Sequence, residues 1–180
     1  VDRHLNTPYT SAAGRLFDAV AALIGIRHRV TYEAQAAIEM EMLASAYTGP
    51  ATQEEAYPFA VEPGGDGSVI RLREMLTAIQ SDMAAGAGQA EIAWRFHRTL
   101  ADMIFSICQR ISGESGLRTV ALSGGCFQNR LLLALAVPRL EQAGFRVLLH
   151  RQVPCNDGGI SLGQAALAQA SVALDKVNSL

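Results

Sequence analysis

The segment best suited to chemistry is Leu122-Ser123-Gly124-Gly125-Cys126-Phe127-Gln128-Asn129. An apolar run ends in a serine and two glycines, and a helical pattern begins a few residues later. Backbone without a Cβ lets an anion approach closely, and a helix N-terminus offers unpaired N–H groups and partial positive charge. Such a turn suits a phosphate or an acyl-adenylate. It is not a Walker loop, because no Gly-Lys-Ser/Thr follows, and it lacks the GxGxxG spacing of a dinucleotide turn. A plain strand-to-helix bend also accommodates glycine, so the residues alone leave a phosphate cradle and a mere bend both open.

A second loop, Pro154-Cys155-Asn156-Asp157-Gly158-Gly159, also follows a strand pattern and precedes a helix pattern. In open α/β sheets, ligands gather outside the carboxyl ends of strands, so two such loops on neighbouring strands would face one cleft. Asp157 could hold a metal as a hard oxygen ligand, or cap the helix that begins near Ile160; the cap is the simpler role for a lone carboxylate. In Gly14-Arg15-Leu16-Phe17-Asp18, an acid lies in an otherwise apolar helix, where a bare carboxylate is costly. Asp18 could accept hydrogen bonds from ribose hydroxyls, or pair with Arg15 three residues earlier, the stronger reading from the residues alone. Glu33 and Gln35 suit a polar cleft, whereas Glu39 and Glu41 are expected to face solvent. His4, His28, His97 and His150 are scattered without metal-ligand spacing, and His97 reads as a structural histidine. Cys126 has no base nearby in sequence and reads as packing.

These sites need elements to position them. The apolar positions Leu16, Phe17, Val20, Leu23 and Ile24 recur at helical spacing, with Thr10 and Ser11 as N-cap hydroxyls and Gly25 as a stop. A second helix is expected over 32–47 with Ile38, Met42 and Leu43 inward. Strands are expected over 57–61 and 68–72 around a glycine-rich turn, and helices over 71–83 and 91–111, the latter with Trp94, Leu100, Met103, Ile104 and Ile107 in the core. From residue 117 the pattern becomes strand (117–122, buried), turn, helix (129–140), strand (145–149), loop and helix (160–174), as in a parallel layered α/β unit. Residues 175–180 are expected to fray.

The chain has 180 residues, 49% hydrophobic and 18% charged, with a net charge of −2. That composition is globular, and nothing in it attracts nucleic acid or an anionic membrane. No apolar run approaches a membrane span. Three cysteines without CxxC spacing argue against a disulfide framework or a zinc site, and favour a reducing, cytoplasmic setting. No leader pattern is visible, and a start at Val1 instead of Met suggests a piece of something longer.

Four stretches together resemble one family, the HypF carbamoyltransferases: Thr10 to Leu23, Tyr32 to Glu39, Leu122 to Leu132, and Val153 to Gln164. They stand in family order across nearly the whole chain, with Ala34 where glycine is often found. The resemblance implies an α/β fold with a helical insertion, a layered sheet flanked by helices, forming one lobe of an actin/hexokinase-like ATPase fold. The chain (1–180) would be the second lobe of the C-terminal carbamoyl-transfer domain, with an irregular lead-in (1–9), a mainly helical part with a short hairpin (10–116) and a nucleotide-binding strand-helix-strand-helix unit (117–174).

The resemblance further implies a role in [NiFe]-hydrogenase maturation. A carbamoyl-adenylate made from carbamoyl phosphate and ATP would pass its carbamoyl group to the C-terminal cysteine of a HypE-like partner, for cyanide ligand synthesis. Ser123, Gly124, Gly125, Asn129 and Gly14 would bind the nucleotide, Asp18 and Glu33 would hold its ribose, and Asp157 would reach a divalent metal (Zn or Fe) shared with a first lobe. That lobe's histidine motif and the upstream domains are absent here, so the chain alone is expected to be inactive and to self-associate through the face a partner lobe would cover. Alternatives are an O-carbamoyltransferase of natural-product synthesis, or a non-catalytic nucleotide-binding lobe. The tRNA-modifying threonylcarbamoyl transferases carry glutamate where Arg15 stands, which leans away from that branch.

Overall fold

The computed structural model describes residues 10–49, 56–65 and 67–178, so the expected irregular lead-in lies outside the described residues. Helix α1 (Ala13–Leu23) buries Phe17, Val20 and Ala21 on one face, as their spacing predicts. Its stop is the expected glycine. Gly25 sits at φ +78°, its amide donating to the Ala22 carbonyl (3.2 Å) and that of Ile26 to the Ala21 carbonyl (2.8 Å), a paired closure that needs a left-handed residue. The expected N-cap does not form: Thr10 Oγ1 accepts the Ala12 amide at 3.1 Å, ahead of the helix, and no side chain caps α1.

Helix α2 (Gln35–Ser45) turns Ala36, Met40 and Ala44 inward, not Ile38 and Met42, which are 42% and 67% exposed. Apolar residues surround this helix, so periodicity alone does not single out a face. The small side chains win because they let α2 pack closely on α4. Strands β1 (Ala60–Gly64) and β2 (Gly67–Arg71) form an antiparallel hairpin with Val61 opposite Ile70. Tyr57, expected in the first strand, is instead an anchor. Its ring is buried, its amide donates to Thr99 Oγ1 at 2.7 Å, and its hydroxyl donates to Asp82 at 2.7 Å. Satisfying both polar ends is what makes burying tyrosine tolerable. Helix α3 (Arg73–Ala84) adds Met75 and Ile79 to the core.

The 27-residue helix α4 (Gln89–Ser115) packs against both α2 and the later helix α5 (Arg130–Gln142). It contributes Ile92, Phe96, Leu100 and Met103 to the main core, with Trp94 and Ile104 packed at its edge. Strands β3 (Thr119–Leu122) and β4 (Arg146–Leu149) pair in parallel from Thr119–Arg146 to Leu122–Leu149, with α5 as the crossover, which parallel strands require. A small second core joins Leu122, Leu140 and Phe145. The mixed α/β character is as expected, but within the described residues the parallel sheet has two strands, and only Leu122 of β3 is buried.

Helix α6 (Ile160–Asn178) continues past the point where fraying was expected; residues 179 and 180 lie outside the described set. Ile160, Leu162 and Leu167 on α6 are exposed, and so are Leu148 and Leu149 on β4. Parallel strands are ordinarily covered on both faces, so this side lacks a cover among the described residues. There, too, no helix is long and apolar enough to cross a membrane.

Candidate functional site

Because β3 and β4 are parallel and end in the register Leu122–Leu149, the next residues, Ser123 and His150, fall side by side. They share a hydrogen bond of 2.9 Å between Ser123 Oγ and His150 Nε2. The chain then turns at Gly124, whose φ of +104° only glycine adopts easily. The Gly124 amide donates to the Cys155 carbonyl at 2.7 Å, stitching the glycine turn to the second loop. A short 3-10 turn (Gly125–Gln128) leads into α5, and another (Asp157–Gly159) leads into α6. Gly159 is required by sterics, since a Cβ there would meet the Pro154 carbonyl oxygen at 2.7 Å.

The two loops enclose a cavity of about 300 Å³ lined by Ser123, Gly124, His150, Asn156 and Asp157, among others. Two strand ends thus face one cleft, as loop placement in the sequence predicts. A Cβ at Gly124 or at Gly125 would meet no atom within 4 Å, so Gly125 is not demanded by packing or by φ. The expected cap is displaced by one residue: Asn156, not Asp157, caps the second turn, accepting the Gly158 amide at 3.2 Å. The Asp157 carboxylate is exposed, lines the cavity, and has no hydrogen-bond or ion-pair partner among the described residues. No group of three or more His, Cys, Asp or Glu able to hold a metal occurs among the described residues.

The start of α5 differs from the open cradle expected there. Glu41 Oε1 accepts the amides of Arg130 (2.7 Å) and Leu131 (3.2 Å), and Asn129 Oδ1 accepts that of Leu132 (2.7 Å). The first three N–H groups of α5 are therefore occupied by the chain's own side chains. Free donors remain one turn earlier, at Gly125 and Cys126, where the 3-10 turn begins. Glu41 was expected in solvent. Its role was invisible in sequence because it joins residues 89 positions apart. Glu39 is likewise engaged, by Arg27 (2.5 and 2.8 Å) and by Gln35 (3.0 Å). The Arg27 guanidinium holds the Glu39 carboxyl below the usual carboxylate range.

Asn129 is buried beneath the turn, and its amide nitrogen lies 2.8 Å from His97 Nε2. His97 is fully buried and structural, as expected, with burial pushing its pKa down. Burial also pushes the Cys126 thiol up, which suits packing and opposes a nucleophile. Asp18 pairs with Arg15 at 3.0 Å, as the spacing allows. Helix α1, which carries Gly14 and Asp18, packs beside the first 3-10 turn, although neither residue lines the cavity. A Cβ on Gly14 would meet nothing within 4 Å. Glu33 is exposed ahead of α2, away from the lining of the cavity.

With this geometry in view, similarities to known proteins are informative. A family model described as "Carbamoyltransferase, Kae1-like Domain, second subdomain" matches residues 1–164. The carbamoyltransferase HypF of Synechocystis sp. (strain ATCC 27184 / PCC 6803 / Kazusa) is 40% identical over 157 residues, 87% of this chain and 19% of that protein. The carbamoyltransferase HypF homolog of Cupriavidus necator (strain ATCC 17699 / DSM 428 / KCTC 22496 / NCIMB 10442 / H16 / Stanier 337) is 39% identical over 93% of this chain and 43% of its own length. Among solved structures, full-length HypF in a phosphate- and nucleotide-bound form superposes with a TM-score of 0.84 at 42% identity, covering 96% of this chain and 22% of that one. The chain thus spans a fifth to under half of the length of these relatives.

Proposed function

The chain belongs to the HypF carbamoyltransferase family as the second subdomain of its Kae1-like domain, whose fold is of the actin/hexokinase-like ATPase type, and on that premise we propose that it forms one wall of a nucleotide cleft used in carbamoyl transfer. The observation that carries this reading is the paired loop at the ends of β3 and β4. Its Gly124 amide is tied to Cys155, the amides of Gly125 and Cys126 have no backbone acceptor among the described residues, and a Cβ at Gly125 would meet no atom within 4 Å. Backbone donors without a neighbouring Cβ suit the phosphate of an adenylate.

Within that cleft, Ser123, Gly124 and Gly125 would hold the AMP phosphate and its neighbours. Asn129, with both ends of its amide engaged, would support the turn from beneath. Gly14 leaves room for the ribose, and Asp18 would accept its hydroxyls; Glu33, exposed ahead of α2 and outside the cavity lining, is left out of this site. Exchanging Arg15 for a ribose hydroxyl is inexpensive, because exposed ion pairs contribute at most about 1 kcal/mol. Asp157 offers a hard oxygen donor to a divalent cation, zinc or iron, whose remaining ligands would come from outside this chain. Such an ion would polarise the carbamoyl carbonyl.

The whole polypeptide would then transfer a carbamoyl group from carbamoyl-adenylate to a thiolate, the C-terminal cysteine of a HypE-like protein. The sulfur attacks the carbamoyl carbon, the bond from that carbon to the phosphate oxygen breaks, and AMP leaves with the electron pair. The role of this chain is to bind and orient the adenylate and to receive the phosphate's charge as it leaves. Crystals of the complete polypeptide with AMP would test the placement: density at Gly124–Gly125 supports it, and nucleotide bound elsewhere defeats it. Metal analysis of Asp157→Asn protein tests the cation, with reduced occupancy expected.

A further inference from the structure

The candidate cavity explains Ser123, Gly124 and Asp157 but not why a histidine lies fully buried beneath them. His97 sits in the middle of α4, edge-on to Phe17 of α1 with ring centroids 5.5 Å apart, and next to Phe96. An imidazole is a poor filler for an aromatic core, since its two nitrogens both demand partners. Both find one. Nδ1 lies 2.7 Å from the Ala93 carbonyl, and Nε2 lies 2.8 Å from Asn129 Nδ2.

The roles follow without ambiguity. A carbonyl can only accept, so Nδ1 carries the proton, and in a neutral ring Nε2 is then a lone pair. The amide of Leu132 can only donate, so the Asn129 atom 2.7 Å from it is the oxygen, which turns the Asn129 nitrogen toward His97. Each link in the chain Leu132 to Asn129 to His97 to Ala93 sets a donor against an acceptor. The chain joins the long helix α4 to the cap of α5, at the residue where the glycine turn ends.

We infer that His97 is a positioning residue for the nucleotide-binding turn: its neutral Nδ1–H tautomer holds the Asn129 side chain, which fixes the span from Gly124 to Leu132 against α4. The inference rests on the reading of that turn as a nucleotide grip. His97 touches no ligand; it acts through Asn129. Protonating Nε2 would set one donor against another and release the contact. Burial disfavours that charge, while Glu41 of α2 is the charged group whose field favours it; the groups facing the ring from α1 and from the turn, Phe17 and Asn129, are uncharged.

The test compares wild-type complete polypeptide with His97→Leu and His97→Gln. Glutamine can still present an oxygen to Asn129 Nδ2, whereas leucine leaves that amide buried and unpaired. AMP affinity by calorimetry is expected to fall about tenfold in the leucine variant, one lost buried hydrogen bond, and to return to within about threefold of wild type in the glutamine variant. Amide exchange read by mass spectrometry should rise across 124–132 in His97→Leu and stay unchanged across α1. Unchanged affinity and exchange in His97→Leu would overturn the inference. So would equal losses in the two variants together with equal drops in melting temperature, which is what mere core filling predicts. A wild-type protein that binds no AMP defeats the nucleotide reading itself, and the exchange pattern then decides the positioning role separately.

Discussion

The Glu41 carboxylate accepts the amide of Arg130 at 2.7 Å, across 89 positions of sequence, and this contact changes where an anion can bind. A carboxylate at a helix N-terminus satisfies unpaired donors and the positive end of the dipole together. Glu41 does this for α5, so the anion-binding capacity of the region lies in the preceding 3-10 turn. Glu41→Gln keeps an acceptor but removes the charge. It is expected to cost about 1 kcal/mol and to lower the melting temperature by about 2–4 °C. A melting temperature equal to wild type would show the contact to be idle.

Ala34 begins α2 at φ +60°, the left-handed value that disfavours a side chain. The left-handed region costs an L-residue about 1–2 kcal/mol, partly offset by the greater chain entropy of glycine. Ala34→Gly is therefore expected to stabilise the protein by about 0.5–1 kcal/mol, read as a higher denaturation midpoint. A lower midpoint would place the strain elsewhere. At the sequence level this alanine looked like a small departure from the family pattern; its backbone angle shows that the exchange carries a cost.

Gly124→Val tests the turn directly. At φ +104° valine is strained, although a Cβ there meets no atom within 4 Å. The expected result in the complete polypeptide is loss of measurable AMP binding with the cores of α1 to α5 intact by circular dichroism. Gly14→Ala provides a contrast. Alanine should raise stability by roughly 0.5–1 kcal/mol, because glycine inside a helix is unfavourable, while its methyl group occupies the ribose side and weakens binding. Retained affinity in both variants would remove the nucleotide from this face.

The depressed pKa of His97 has a definite sign in stability. Above the ordinary histidine value both folded and unfolded chains carry a neutral ring, and stability is flat with respect to this group. As pH falls below about 6.5, the unfolded chain takes up a proton that the folded one resists. Stability therefore declines until pH passes the folded value. Denaturant titrations at a series of pH values should show this decline in wild type and a shallower one in His97→Gln. Identical slopes would assign the pH dependence to other groups.

An isolated 1–180 chain leaves Ile160, Leu162 and Leu167 of α6 in water, and Leu148 and Leu149 of β4 as well. Apolar surface of this kind favours association. Light scattering is expected to show dimers or larger species that Leu162→Ser with Leu167→Ser reduces to monomer. A monomeric wild-type chain at high concentration would count against this.

Much of the local structure was legible in residues 10 to 25 and 122 to 159. The spacing of Phe17 and Val20, the stop at Gly25, and the strand-to-loop junctions at Ser123 and Pro154 each depend on a few neighbouring residues. Backbone preference and periodicity are local properties, and the sequence by itself determined them, along with the Arg15–Asp18 pair and the buried character of His97. It also determined the family, because four short motifs in order are far more specific than one. Tertiary structure alone decided which face of α2 turns inward, that Glu41 closes the start of α5, and that His97 meets Asn129. Those outcomes depend on which helix comes to lie against which, and on matching each buried donor with an acceptor. The sequence contains the partners, but their pairing across tens of residues is set only when the chain has packed.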